Sequence, residues 1–180
     1  MMEKFPIYTI GYGNRTIKTF IDELVKYEID FLIDVRTNPK SSYDASFIRN
    51  NLSEVLQDYK IRYVFMGDLL GGLPPEDECY TNGKVDYKKV ATQPFYLKGI
   101  KRLTTAYEKN LRVALMCSEL KPESCHRSKL IGETLTANNI NVKHIDEIGR
   151  LLSQEKVIER LTGGQLALFD EVYTSRKQYK

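Results

Sequence analysis

The run Met116-Cys117-Ser118-Glu119-Leu120-Lys121-Pro122-Glu123-Ser124-Cys125-His126-Arg127 gathers two thiols, an imidazole, carboxylates and a guanidinium into one short stretch. The apolar residues 112–116 before it read as a strand, which puts Cys117 at the strand end. Pro122 suits a first helical turn, so Cys125, His126 and Arg127 are expected early in a helix. Unpaired N–H groups and the helix dipole favour anions there, and a thiol so placed is shifted toward the thiolate. Four readings compete: a nucleophilic cysteine, a thiol/disulfide pair, a Cys/His/Glu metal site, or two packed thiols in a capping loop. Cys125 is expected to be more reactive than Cys79, whose neighbours Asp77 and Glu78 oppose ionisation. The candidates for chemistry are Cys117, Glu119, Cys125 and His126.

Two other loops bring groups that suit an anion. Thr9-Ile10-Gly11-Tyr12-Gly13-Asn14-Arg15 has glycines that permit a tight turn with exposed N–H groups, and a helix is expected from about Thr16. Its spacing is not GxGxxG, so it makes no dinucleotide fingerprint. Asp34-Val35-Arg36-Thr37-Asn38-Pro39 puts Asp34 and Arg36 on one side of a strand end by the period of two. Asp34 is expected to accept backbone N–H bonds, and Arg36 to pair with it or to reach a phosphate through its planar fork. Gly11, Asn14, Arg15, Asp34, Arg36 and Arg127 are therefore the candidate ligand-binding residues.

The elements that must position these groups follow from periodicity. Residues 5–10, 31–35, 62–66 and 112–116 are short runs rich in β-branched or aromatic residues, and 141–145 is a weaker fifth. Helical spacing separates them: Ile17, Phe20, Ile21, Leu24 and Val25; Leu52, Val55, Leu56 and Tyr59; Phe95, Ile100, Leu103 and Tyr107; Leu130, Ile131 and Leu135. Alternation of strand and helix predicts an α/β three-layer sandwich around a mainly parallel, Rossmann-like sheet of about five strands. In such sheets ligands bind beyond the carboxyl ends of the strands, which selects the three loops above. Residues 66–91, with Pro74-Pro75 and Asn82-Gly83, break the rhythm and read as a binding loop, a lid or a dimer contact. Residues 1–150 are read as the α/β domain and 151–180 as a C-terminal helix over 153–161, ended by Gly163-Gly164, with a loose tail.

The bulk numbers agree with a globular enzyme or binding module. The 180 residues are 42% hydrophobic, and 27 Lys and Arg against 24 Asp and Glu leave a net charge of +3. Such a mild excess permits a phosphate-bearing ligand without requiring one. No apolar run approaches the ~20 residues of a membrane helix, and no secretory h-region is legible, so a cytoplasmic protein without a membrane partner is expected. Three cysteines suit thiols better than a disulfide framework.

TIGYGNR, DVR with its following Pro, Leu70-Gly71-Gly72 and the C-x-E…CHR stretch together resemble the family known as domain of unknown function 488, over roughly residues 8–145. The resemblance implies an α/β domain with no settled activity, and a suggested role for its Cys and His residues in metal binding. Its marked positions fall here on Gly11, Asn14, Arg15, Asp34, Arg36, Cys117, Glu119, Cys125, His126 and Arg127, with His144 at the terminal His-Ile pair. Tyr12 stands where family members often carry His, which removes one metal ligand or base. A structural zinc needs four ligands, the Cys-x7-Cys-His spacing lacks a tight Cys-x2-Cys knuckle, and adjacent Cys and His seldom share an ion, so no metal site is assigned. A phosphatase-like loop needs Arg six residues after its Cys, where Glu123 stands.

Near the end, Gln165-Leu166-Ala167-Leu168-Phe169 resembles the peptide with which bacterial polymerases and repair proteins hold the sliding clamp. Gln165 would sit on a polar rim, while Leu166, Leu168 and Phe169 would be apolar anchors. At ~1.5–3 kcal/mol per anchor before ordering costs, micromolar affinity, or roughly 8 kcal/mol, is the natural scale. The leading expectation is thus a protein that binds a phosphate-bearing nucleotide or nucleic-acid-related ligand at its strand ends, with cysteine-based chemistry. The alternative is a non-enzymatic, DNA-associated accessory protein that binds the bacterial clamp through its tail.

Overall fold

The computed structural model describes residues 4–164 and 173–180. Its central sheet is built from β1 (Ile7–Gly11), β2 (Phe31–Asp34), β3 (Arg62–Phe65), β6 (Val113–Cys117), β7 (Val142–Ile145) and β8 (Leu151–Ser153), in the order β3-β2-β6-β1-β7-β8. All neighbours are parallel except β7 and β8. A small antiparallel hairpin, β4 (Tyr80–Thr81) and β5 (Lys84–Val85), turns at Asn82-Gly83. The three-layer α/β sandwich is therefore present, with six strands where about five were expected. The extra strand, β8, is three residues long, antiparallel and at the sheet edge.

Two apolar cores flank the sheet, because alternate strand residues point to opposite faces. On one face Ile10, Leu32, Ala114 and Met116 pack against Phe20, Ile21 and Leu24 of α1 (Ile17–Lys26) and Leu52 and Leu56 of α2 (Arg49–Gln57). On the other face Ile33, Val113, Leu115 and Cys117 pack with Tyr96, Ile100 and Leu103 of α5 (Pro94–Glu108) and Leu135 of α6 (Glu133–Ala137). Cys117 thus inherits its direction from the alternation of β6. The short helices α3 (Gly67–Leu70) and α4 (Tyr87–Val90) border the hairpin and complete this side.

Thr16 caps α1 by accepting from Thr19 N, and Ser153 caps α7 (Gln154–Thr162) by accepting from Lys156 N. Gly163, at φ 63°, ends α7 as the Gly-Gly pair predicts. A π-helical turn, Arg127–Gly132, precedes α6, and Gln154 Nε2 donates to the Ser128 carbonyl within it. Such turns are uncommon and often mark functional sites. Residues 173–180 are held, not loose. Ser175 N donates to Val85 O and Tyr179 N to Gly83 O, while Thr174 bridges Asp86. No described helix is long and apolar enough to cross a membrane. The peptide of Gln165, Leu166, Leu168 and Phe169 lies outside the described residues.

Candidate functional site

Cys117, Cys125 and His126 meet at the carboxyl end of β6. His126 Nδ1 lies 3.8 Å from Cys117 Sγ and 3.6 Å from Cys125 Sγ. The three candidate ligand atoms lie within 4.8 Å of one another, and all three residues are buried. His126 Nε2 is 3.1 Å from the Leu70 carbonyl, which can only accept. Nε2 therefore carries a hydrogen, and Nδ1 faces both sulfurs. Gly72 makes this placement sterically open: a Cβ there would come within 2.8 Å of His126 Nδ1.

The two thiols are shifted in opposite directions. A hydrogen bond from Cys125 holds the Cys117 thiol well below its ordinary range against the opposing effect of burial, and the positive field of His126 and Arg127 assists. Burial, then the neighbouring Cys117, pushes Cys125 well above it. Cys117 is thus the thiol shifted toward the thiolate, and Cys125 the one shifted away from it. This corrects the expectation that Cys125 would be the ionised thiol in a first helical turn. Pro122–Ser124 forms only a 3₁₀ turn, and Cys125 is extended (φ −117°, ψ 149°), just before the helical residues, with its carbonyl accepting from Ser128 N and Lys129 N. Cys79 is buried and its thiol is raised by burial, then by Glu76 and Glu78.

A cavity of ≈ 320 Å³ opens above this cluster. Arg36, Cys117, Glu119, Cys125 and His126 line it, so five of the residues read from sequence come together. Arg36 is 4% exposed and grips the fully buried Asp34 through Nε (2.9 Å to Oδ1) and Nη2 (2.6 Å to Oδ2). Asp34 also accepts from Arg36 N and from the Tyr63 hydroxyl. The Arg36 guanidinium lies over the Tyr12 ring, which stacks on Phe47. Arg36 Nη1 has no partner among the described residues.

The remaining candidates are placed elsewhere. Asp34 lies behind Arg36. Arg127 is fully buried and donates through Nη2 to the carbonyls of Glu119 and Leu120, which fixes the loop after Cys117. Arg15 bonds the carbonyls of Gly11 and Asp146, and joins the first loop to the end of β7. Gly11 touches the Glu119 carbonyl, and Asn14 is exposed. None of these five is in the cavity lining.

Sequence reasoning missed several lining residues: Lys40 and Tyr43 from the loop after β2, Tyr87 from α4, and Arg176 and Tyr179 from the C-terminal segment. Only the irregularity of residues 66–91 hinted at α4. Nothing in the tail pointed to the site, because its approach depends on pairing with the hairpin.

His144 stands apart from the thiols. It is fully buried, with Nδ1 2.7 Å from Thr9 Oγ1 and Nε2 2.7 Å from Gln154 Oε1. Burial, then the field of Arg127, pushes its pKa down to about 3. The folded protein therefore binds fewer protons here than the unfolded chain between pH ~6.5 and about 3. The stabilisation is complete above ~6.5 and is lost as pH falls through that window. Urea unfolding should show stability falling by up to about 1.4 kcal/mol per pH unit below pH ~6. His144→Gln should remove most of that slope. An unchanged slope would refute the assignment.

Comparison with known proteins adds one match. A family model described as domain of unknown function DUF488 matches residues 16–134. No curated protein and no solved structure matches the chain.

Proposed function

The chain belongs to the DUF488 family, and we propose that it is a cysteine-dependent enzyme acting on a small, phosphate-bearing ligand, a nucleotide or a related compound. The carrying observation is the meeting of two buried thiols and an imidazole at the wall of a cavity. Cys117 is the nucleophile: its sulfur forms a bond to an electrophilic centre of the ligand as the bond from that centre to the leaving group breaks. The Cys117 proton passes to His126 Nδ1 and from there to the leaving group, which departs with the electron pair of the broken bond, and Cys125 stabilises the Cys117 sulfur by donating to it. Arg36, in the cavity lining, would hold the ligand's anionic group; its buried Nη1 has no partner among the described residues. The cavity volume of ≈ 320 Å³ is at the lower end of small-molecule sites, about 300–1,000 Å³.

Alkylation by iodoacetamide tests this reading. Cys117 should be modified first, with a half-maximal rate at a pH well below the ~8.5 of an ordinary thiol. Cys117→Ser should remove the fast reaction. Cys125→Ser should move its midpoint upward, because the thiolate loses its donor. If Cys125 or Cys79 reacts first, Cys117 is not the nucleophile.

A second reading is favoured by the donor set. Two thiolates and an imidazole whose far nitrogen is fixed by a backbone carbonyl are what zinc or another thiophilic divalent ion selects. The objection from adjacency does not hold here: extended Cys125 and helical His126 aim at the same point. Cys117, Cys125 and His126 would hold the ion, which would supply a Lewis acid facing the cavity. Elemental analysis of the purified protein decides between the two readings. A stoichiometric metal, whose removal by a chelator exposes Cys117 to alkylation, would replace the free-thiol reading.

A further inference from the structure

We propose that the C-terminal segment, residues 173–180, is part of the binding site and delivers Arg176 as a further cation, with Arg36 and Lys40 of the same lining, for the anionic group of the ligand. This deepens the reading above and rests on it for the location of the site. The segment is anchored on both sides of Arg176. Before it, Thr174 bridges Asp86, and Ser175 exchanges bonds with Val85: its N donates to Val85 O, and its Oγ accepts from Val85 N at 2.9 Å. After it, Tyr179 N donates 2.7 Å to Gly83 O, and the Lys180 ammonium reaches Asp77 and the Pro75 carbonyl. Ser175 Oγ also donates to Lys177 O, which folds the chain so that Arg176 and Tyr179 both reach the cavity wall.

These anchors give the hairpin inside the irregular insertion a role: β5 and the Asn82-Gly83 turn are the dock for the tail. They are mainly backbone bonds, so they do not need the Arg176 side chain. That side chain is 58% exposed and meets Glu119 Oε1 at 3.5 Å, with Glu119 itself 41% exposed. So loose and solvated an ion pair can open to an incoming anion. Arg36 adds the independent observation: its side chain belongs to the same cavity lining, is 4% exposed, and carries a buried nitrogen, Nη1, without a partner among the described residues. Together the two guanidinium groups suit a phosphate or a carboxylate.

The test compares anionic iodoacetate with neutral iodoacetamide at Cys117, and separately measures the affinity for inorganic phosphate and for acetate by calorimetry. The parent should show an iodoacetate preference, which salt should weaken. Arg176→Gln should lower the iodoacetate-to-iodoacetamide rate ratio and the anion affinity by roughly fivefold or more, and Arg176→Lys should restore part of both. Phosphate or acetate binding tighter than the other identifies which anion the cations serve. An unchanged ratio and affinity in Arg176→Gln would overturn the proposal. Calorimetry does not depend on the thiol, so a parent that binds the anion through Arg176 yet alkylates slowly sustains the tail's role and refutes only the nucleophile. A parent that binds neither anion overturns the proposal outright.

Discussion

Replacing Asp34 with Ala should cost about 3–5 kcal/mol of stability, the scale for leaving a buried charge unpaired. At ~2–4 °C per kcal/mol for a domain of this size, the melting temperature should fall by roughly 6–20 °C. Asp34 is fully buried and Arg36 nearly so. The carboxylate accepts two parallel bonds from the guanidinium, one from Arg36 N and one from the Tyr63 hydroxyl. Without it the Arg36 cation keeps its contact with Tyr12 but no opposite charge. Asp34→Asn keeps the shape and loses the charge, so it should fall between parent and Ala variant. Asp34→Ala combined with Arg36→Met should recover part of the loss, because it removes the orphaned charge as well. Urea unfolding of the four proteins measures this. Single variants within 1 kcal/mol of the parent would mean that water reaches the pair and that Arg36 is not held in place for a ligand.

That pair also shows what the sequence made legible. The period of two placed Asp34 and Arg36 on one side, and the pairing followed from their chemistry. The central strands were legible for a similar reason: buried on both faces, they read as unbroken apolar runs. β8 was not, because Leu151-Leu152-Ser153 is too short for a pattern and Leu151 is exposed. The three strand-end loops were located from the parallel topology alone. Their internal division of labour was not. Arg15, Arg36 and Arg127 look alike as letters, yet two of them bind backbone carbonyls and only Arg36 lines the cavity. Cys117, not Cys125, is the thiol shifted toward the thiolate, because a hydrogen bond between residues eight apart outweighs the local helix-terminus argument made for Cys125. Arg176 was invisible because its position comes from backbone pairing with a hairpin some ninety residues away.

Gly11→Ala should be as damaging as any single methyl group can be in this fold. Gly11 ends β1 in register with Cys117, and Tyr12 N and Gly13 N continue the pairing by donating to the carbonyls of Cys117 and Ser118. The loop after Cys117 therefore runs directly over the Gly11 Cα. A Cβ there would lie far inside contact distance of the Glu119 carbonyl, and 2.8 Å from Arg127 Nη2. The obstacle is backbone, so it cannot rotate away. To admit the methyl group, Glu119 O must leave its donor, Arg127 Nη2, now at 2.9 Å, and the buried guanidinium loses a partner while its Nε and Nη1 already lack one among the described residues. Overpacking alone costs ~1–3 kcal/mol, and the weakened buried cation brings the expected loss above about 4 kcal/mol. The same displacement moves Ser118 and Glu119 at the cavity edge, so Cys117 alkylation should slow even in molecules that remain folded. Unfolding by urea and labelling by mass spectrometry read the two effects separately. A Gly11→Ala protein within 1 kcal/mol of the parent, with Cys117 labelled at the parent rate, would show that the loop shifts freely and that Arg127 does not hold it.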